Sequence, residues 1–512
     1  MSACTYHSPT IRDMVGEGGS RVPWLLCSLT AHALLFLVLS LVVFDTPQEP
    51  VREAIHGGVV IDPIPPIIDN PPPPAPPTSP LEPGDPGEVG DPECQDPLIE
   101  GPGDPDPEPF PETPADELLG EPSFAHLGFI STASLRAGDG NHFGARRRGT
   151  PGRRGPDGET PGSRAAVDGG LRWLADHQSE DGSWDSDGFH EECQREGREG
   201  DVPHPPCDGA ASMEWSDPGN TGLALLAFLG AGHTHLIGPY RDVVRRGLRY
   251  LRGVQSPDGC VGPKEGHYMY NHAIAALALC EAKAMSPYNP LLRDSAQRAI
   301  DYLALAQNPG LGWRYSERCG DNDTSVTAWV VLALKSGRAA DLRVPKRCFR
   351  GALTWIDRVT EDSYCKVGYR TPGDPGALLP EVQDRFESTE TMTAAGILSR
   401  IFLGAKPEDP AVRGGVALLL DQLPEWNEEQ GTINTYYWYY GTLAMFQVGG
   451  KPWRRWNQAL QGALVETRCL QGPTAGSWDP VGAWGGAGGR VYATAINTLT
   501  LEIYYRYARV FR

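Results

Sequence analysis

Outside one acidic stretch, this chain of 512 residues carries almost no net charge. Residues 45–120 hold 18 Asp and Glu against the single Arg52 and so contribute minus 17 of a total of minus 20. The remainder, close to neutral, lacks the basic footprint of a nucleic-acid-binding surface. The same stretch is poor in apolar side chains and dense in proline, as in DPIPPIIDNPPPPAPPTSP, so it has too little to bury for a core of its own. It reads as a disordered, charged, polyproline-like spacer with a reach of at most about 230 Å at ~3.1 Å per residue. Residues 121–164, rich in Gly and Arg, read as equally disordered.

Charge is absent from one further place. Trp24 to Phe44 is an uncharged apolar run of 21 residues, long enough to cross a bilayer. It exceeds a usual signal-peptide core and no small-x-small cleavage site follows it, which favours an uncleaved transmembrane helix. Arg12 and Arg21 precede the run, whereas acidic residues dominate after it. By the basic-residue rule, residues 1–23 stay in the cytoplasm and everything after residue 44 lies outside the inner membrane, in the periplasm of a Gram-negative bacterium. Ser28 and His32 share one face of this span. An ionisable residue within the bilayer is a functional hypothesis by default.

From residue 165 to the end the chain repeats itself. The phrase aromatic-aliphatic, Gln, Gly-x-Trp stands in full as Trp173, Leu174, Gln178, Gly182, Trp184. Partial copies follow at Tyr250, Leu251, Gln255, Gly259, at Tyr302, Leu303, Gln307, Gly312, Trp313, and at Gln471, Gly476, Trp478. Repetition at this scale means stacked supersecondary units. Each unit ends in a helix rich in small apolar residues, which therefore is buried nearly all round; these start near Asn220, Asn271, Asp323, Ser388, Asn434 and Tyr492. A more amphipathic helix precedes each. The fold class is all-α, a single (α/α)6 toroid over residues 165–512, with Asn, Asp, Ser or Thr expected as N-caps of inner helices.

The Gln/Gly/Trp phrase and the six hairpins resemble the squalene-hopene cyclase and protein prenyltransferase superfamily, including squalene-cyclase-like repeat proteins of bacterial envelopes. The N-terminus, with Ser28 and His32 ahead of a proline-rich spacer, is similar to TonB-type energy transducers, where this motif couples to a proton-driven membrane partner; no TonB-type C-terminal domain follows here. The cyclases protonate a polyene from an Asp-x-Asp-Asp-Thr motif. The nearest stretch here is Asp321, Asn322, Asp323, Thr324, Ser325, which lacks one acid in either alignment. Asp321 and Asp323 are the catalytic candidates that the resemblance implies; as a helix N-cap, Asp323 has a purely structural use.

If the hairpins alternate, every inner helix begins at the same rim, and its N-terminal dipole and capping groups converge there. That rim gathers Asn220, His272, Asp321, Asp323, Glu387, Glu390, Tyr436 and Arg490, above an apolar cavity lined by Trp329, Tyr440 and Tyr504. The enlarged first loop holds His190, Cys193, His204 and Cys207. A Cys193–Cys207 disulfide, natural in an oxidising compartment, is the expectation, and tetrahedral zinc held by all four is the alternative. No cofactor is expected. The broken acid motif beside an intact repeat phrase points to a membrane-anchored toroid that binds an apolar, isoprenoid-like or peptide ligand in its cavity. The alternatives are a terpenoid cyclase or a hydrolase or lyase acting through rim carboxylates such as Glu387 and Glu390, and an envelope scaffold without a ligand.

Overall fold

The computed structural model describes residues 158–194, 206–363, 365–374 and 389–506. The apolar run at 24–44, the spacer, Ser28, His32, His204 and Glu387 lie outside the described residues. Among the described residues no helix is long and apolar enough to cross a membrane.

Twelve helices of two turns or more follow one another among the described residues, with no strand. They are α1 (Pro161–Asp176), α2 (Asp217–Gly230), α3 (Arg241–Gly253), α4 (Tyr268–Met285), α5 (Pro290–Ala306) and α6 (Thr324–Ala339). Then come α7 (Lys346–Arg358), α8 (Thr391–Phe402), α9 (Pro410–Asp421), α10 (Thr435–Val448), α11 (Gly450–Val465) and α12 (Gly485–Leu501). The even-numbered helices pack side by side in chain order, and α12 returns to α2, so six inner helices close a ring. The odd-numbered helices sit outside it. Their apolar stripe faces inward and their Arg, Lys and Asp face water, as in α3 (RDVVRRGLRYLRG), which buries only Val244, Gly247, Leu248 and Leu251. The inner helices are buried on nearly every side, as their composition predicts.

The repeat phrase is a brace, and each of its residues has a separate bond to make. The Trp indole N–H donates to a carbonyl of the preceding outer helix: Trp184 to Leu174 (2.7 Å), Trp313 to Leu303 (2.7 Å) and Trp478 to Leu464 (2.8 Å). The Gln amide donates to a carbonyl of the next outer helix: Gln178 to Val243 (3.0 Å), Gln255 to Ser295 (3.0 Å) and Gln307 to Cys348 (3.1 Å). The backbone N–H at the Trp position then binds the inner helix, Trp184 to Thr221 Oγ1 and Trp313 to Thr327 Oγ1, with Val367 to Thr393 Oγ1 in the degraded copy. One loop thereby ties three helices. Glycine is required because Gly182, Gly259 and Gly476 have φ near +95 to +99°, and a Cβ there would lie 2.3–2.4 Å from a carbonyl oxygen of the next outer helix. For Gly476 that helix is α1, so the last loop closes on the first repeat. The late copy departs in one respect: Gln471 is exposed and does not join the brace.

Inner-helix starts are only partly those the sequence suggested. Asp323 and Asn434 cap α6 and α10, their side chains accepting the N–H of Val326 (2.8 Å) and Tyr437 (3.0 Å). Asn220 lies inside α2, which begins at Asp217, and bonds Ser216 Oγ (3.3 Å) instead of capping.

Replacing Trp313 by Phe removes the donor to Leu303, leaving a buried carbonyl unpaired, and leaves a small cavity where the larger indole packed. The expected loss is about 1–3 kcal/mol in a urea titration. A midpoint equal to wild type would mean that the indole bond is not a structural link.

Candidate functional site

The inner-helix N-termini meet at one mouth, and among the described residues aromatic side chains pack in the lumen below it. Trp329 on α6 stacks on Tyr439 of α10 (centroids 5.4 Å apart, planes at 18°) and meets Tyr440 edge-on at 5.5 Å. Tyr436 packs on Tyr440 at 5.2 Å, and its hydroxyl bonds Ser325 Oγ at 2.6 Å. Since α8 separates α6 from α10 in the ring, these contacts lie inside the lumen. No more than 2 % of Trp329, Tyr439 or Tyr440 is accessible, so no water-sized space adjoins those rings. Trp329, Tyr436 and Tyr440 do converge as expected, but as the packing of the lumen and not as the walls of an open cavity. Tyr504 stands apart, bonding Asn457 Oδ1 (2.6 Å) at the outer wall.

Asp323 is the floor of the mouth. It is fully buried; one carboxylate oxygen caps α6, and the other, Oδ2, has no hydrogen-bond partner among the described residues and lies 3.9 Å from Arg314 Nε. Burial pushes its pKa up to about 7, against the pull of the Val326 N–H and of Arg314. Around it Arg314 lies over the Tyr315 ring (4.7 Å), Tyr315 hydrogen-bonds Tyr369, and Tyr270 stands 6.1 Å from Tyr315. The His267 ring stacks on Tyr315 at 3.6 Å and touches Trp215 at 5.8 Å, while Trp484 packs against Tyr436 at 6.3 Å. Trp215, His267, Tyr270, Tyr315 and Trp484 are all half-buried. None of these five was singled out from sequence. Tyr270 sits one residue before Asn271 at an inner-helix start, which was a usable signal; the others come from loops, which carry no periodicity to read.

Asp321 does not act with Asp323. It is exposed and paired to Arg314 (3.1 Å) and Arg370 (3.2 Å). An exposed, doubly paired carboxylate is a poor acid for an apolar substrate.

Three further rim residues make structural bonds. His272 occupies the position of Thr221 and Thr327 in the brace: Nδ1 accepts the Val261 N–H (3.0 Å), so Nε2 carries the proton toward the Ala299 carbonyl (3.2 Å). Burial lowers its pKa to about 4, keeping it neutral. Glu390 accepts from Thr393 Oγ1 (2.6 Å) and pairs with Lys366 (3.2 Å) at the start of α8. Arg490 follows the kink of α12 at Gly489 (φ +73°), where a side chain would strike the 209–211 segment. Its guanidinium binds both the Asp208 carboxylate and the Asp208 carbonyl (2.8 Å), together with Asp479 (2.7 Å) and Ser477 Oγ (3.0 Å). These bonds join the enlarged first loop to the last one, across the seam of the ring.

The sulfurs of Cys193 and Cys207 are not bonded to each other in the structure. Both sulfurs meet His177, next to Gln178 of the first repeat phrase, whereas His190 packs against Phe189 (6.1 Å) away from them. Hydrogen bonds from the Cys207 side chain and backbone, and the adjoining His177, pull the Cys193 thiol down toward the thiolate.

The family model of the squalene-hopene cyclase C-terminal domain matches residues 158–377. Over those residues, less than half of the chain, the protein is similar to that domain, and the described residues form an α/α toroid. Similar solved structures include type II terpene cyclase MstE from Scytonema without ligand, at 15 % identity, covering 66 % of this chain and 97 % of that one with a TM-score of 0.42. A variant of it in complex with geranylgeranyl dihydroxybenzoate gives 13 % identity, coverage of 67 % and 97 %, and a TM-score of 0.42. A protein from Actinoplanes gives 14 %, 67 % and 99 %, and 0.38. No curated protein matches the chain.

The buried acid leads to a pH prediction for the toroid. A carboxyl whose pKa rises from 3.8 unfolded to about 7 folded binds its proton more tightly in the native state. Its contribution to stability is therefore full at low pH and falls as pH rises through that window. Asp323→Asn keeps the cap and abolishes the titration. Urea midpoints at pH 5 and pH 8 should show the variant gaining on wild type at pH 8; a pH-independent difference would place Asp323 at an ordinary pKa.

Proposed function

We propose that this chain is a membrane-tethered binding module without turnover, whose squalene-cyclase-like toroid takes an apolar, isoprenoid-like ligand against the aromatic rings of its mouth. The observation that carries the reading is the contrast between a lumen packed by Trp329, Tyr436, Tyr439 and Tyr440 and a mouth at which Trp215, His267 and Trp484 stay half-buried beside the His267–Tyr315 stack. Rings so placed give apolar area at low entropic cost, and ligand sites are ordinarily apolar with a few converging polar groups. The apolar run at 24–44 anchors the chain in the inner membrane and the acidic spacer carries the toroid into the periplasm. Ser28 and His32 offer the anchor a proton-driven membrane partner.

Titrating the full-length chain with geranylgeraniol should give saturable quenching of tryptophan fluorescence, and Trp215→Ala or Tyr315→Ala should weaken it about two- to tenfold. The absence of saturation with wild type would remove the ligand from the proposal. Reporter fusions after residue 60 should be active only outside the inner membrane. A soluble species lacking residues 1–45, recovered from cells, would mean that the run is a cleaved signal instead.

One observation favours a second reading, an acid-initiated terpenoid cyclase. Asp323 is buried, has a carboxylate oxygen outside any hydrogen bond among the described residues, and is part-protonated near neutral pH. An acid in that state can deliver a proton into an apolar site. Conversion of squalene or geranylgeranyl substrates by the purified chain, abolished by Asp323→Asn with the fold intact, would replace the binding reading by this one. The expected result is no conversion.

A further inference from the structure

The mouth makes no use of the cluster at the end of α1, where the imidazole of His177 and the sulfurs of Cys193 and Cys207 all lie within 4.8 Å of one another. His177 Nδ1 is 2.7 Å from the Trp173 carbonyl oxygen. A carbonyl only accepts, so Nδ1 carries the proton and the lone pair of Nε2 points away from α1. Both sulfurs face that lone pair, Cys193 at 3.1 Å and Cys207 at 3.4 Å. Three potential metal donors thereby converge on one small, buried space. A cation placed between the three atoms satisfies them all.

We propose that His177, Cys193 and Cys207 bind one zinc ion, a site independent of whatever the mouth binds. Zinc bonds of ~2.3 Å to sulfur and ~2.05 Å to nitrogen at tetrahedral angles set N···S at about 3.6 Å, close to the separations found here. The second sphere has the form expected of a metal-bound histidine, its outer ring nitrogen held by a backbone carbonyl that fixes both tautomer and orientation. The Cys207 backbone N–H, 3.3 Å from Cys193 Sγ, donates toward the sulfur that would carry thiolate charge. Two thiolates neutralise the divalent ion, so the site holds no net charge in its buried surroundings, where His177, Cys193 and Cys207 are 3 %, 6 % and 6 % exposed and Trp173 stacks on the imidazole at 4.1 Å. Soft sulfur with imidazole selects zinc over magnesium or calcium. The described residues supply three of four tetrahedral donors.

Position gives the ion its role. The segment 207–209 is held from the other side by Arg490, whose N–H bonds the Gly209 carbonyl (2.7 Å) and whose guanidinium holds Asp208. Zinc would fasten that same segment to the end of α1, making it a clamp where the first and last repeats meet.

The test uses the full-length chain purified without chelator. Elemental analysis should find about one zinc per chain, and X-ray absorption at the zinc edge should find two sulfur neighbours and at least one nitrogen. A strong chelator should lower the melting temperature of wild type and leave that of Cys193→Ser and Cys207→Ser unchanged. Each variant should bind added zinc at least about tenfold more weakly, the loss that second-sphere changes alone can produce. Where a variant does not fold, the wild-type absorption spectrum decides alone. Substoichiometric zinc overturns the proposal, whether peptide mapping finds Cys193 cross-linked to Cys207 or both as alkylatable thiols.

Discussion

Each loop between an outer and an inner helix has to satisfy its own buried polar groups while holding three helices, and the Gln/Gly/Trp phrase solves both tasks with the same atoms. The indole N–H returns to the outer helix just left, the Gln amide reaches the outer helix to come, and the backbone between them bonds the inner helix. Buried N–H and C=O groups are costly when unpaired, so the brace is obligatory wherever the loop is covered. It also explains why glycine cannot be exchanged at Gly182, Gly259 or Gly476, where positive φ and a carbonyl within 2.4 Å of any Cβ coincide.

Closing a ring of helices sets a second constraint, since the centre must be filled or wet. Here aromatic side chains from α6 and α10 enter it and pack on one another. This packing moves the accessible chemistry upward to the mouth, where Asp323 sits buried beneath half-buried rings. The same constraint accounts for the fate of the polar rim residues. His272, Glu390 and Arg490 line up at one end because the inner helices start there, yet each is bonded to backbone or to an opposite charge in its own repeat or at the seam.

The seam differs from the other repeat junctions because no covalent hairpin joins α12 to α1. Gly476 packs against α1, the Trp173 indole donates to the Pro473 carbonyl, and Arg490 grips Asp208. These side-chain and backbone contacts converge on a junction that every other repeat makes through chain connectivity. The enlarged first loop, an irregularity in the sequence, has its physical purpose here.

What the sequence determined by itself was the periodic part. Small apolar runs fixed the six inner helices, charged stripes fixed the outer ones, and the recurrence of Gln, Gly and Trp announced how they join, since each depends only on neighbours along the chain. Caps were legible at Asp323 and Asn434 for the same reason. Contacts between repeats were not. The sequence offered His190 and His204 beside the two cysteines, but the histidine that meets both sulfurs is His177, which a helix end 16 residues earlier brings to Cys193. Tyr315, Tyr369 and Trp484 reach the mouth from loops, and Asp321 and Asp323, two residues apart, receive opposite environments because one faces Arg370 in water and the other turns under α6. Whether the lumen was open or full depended on ring stacking between α6 and α10, more than a hundred residues apart, and only tertiary packing could decide it.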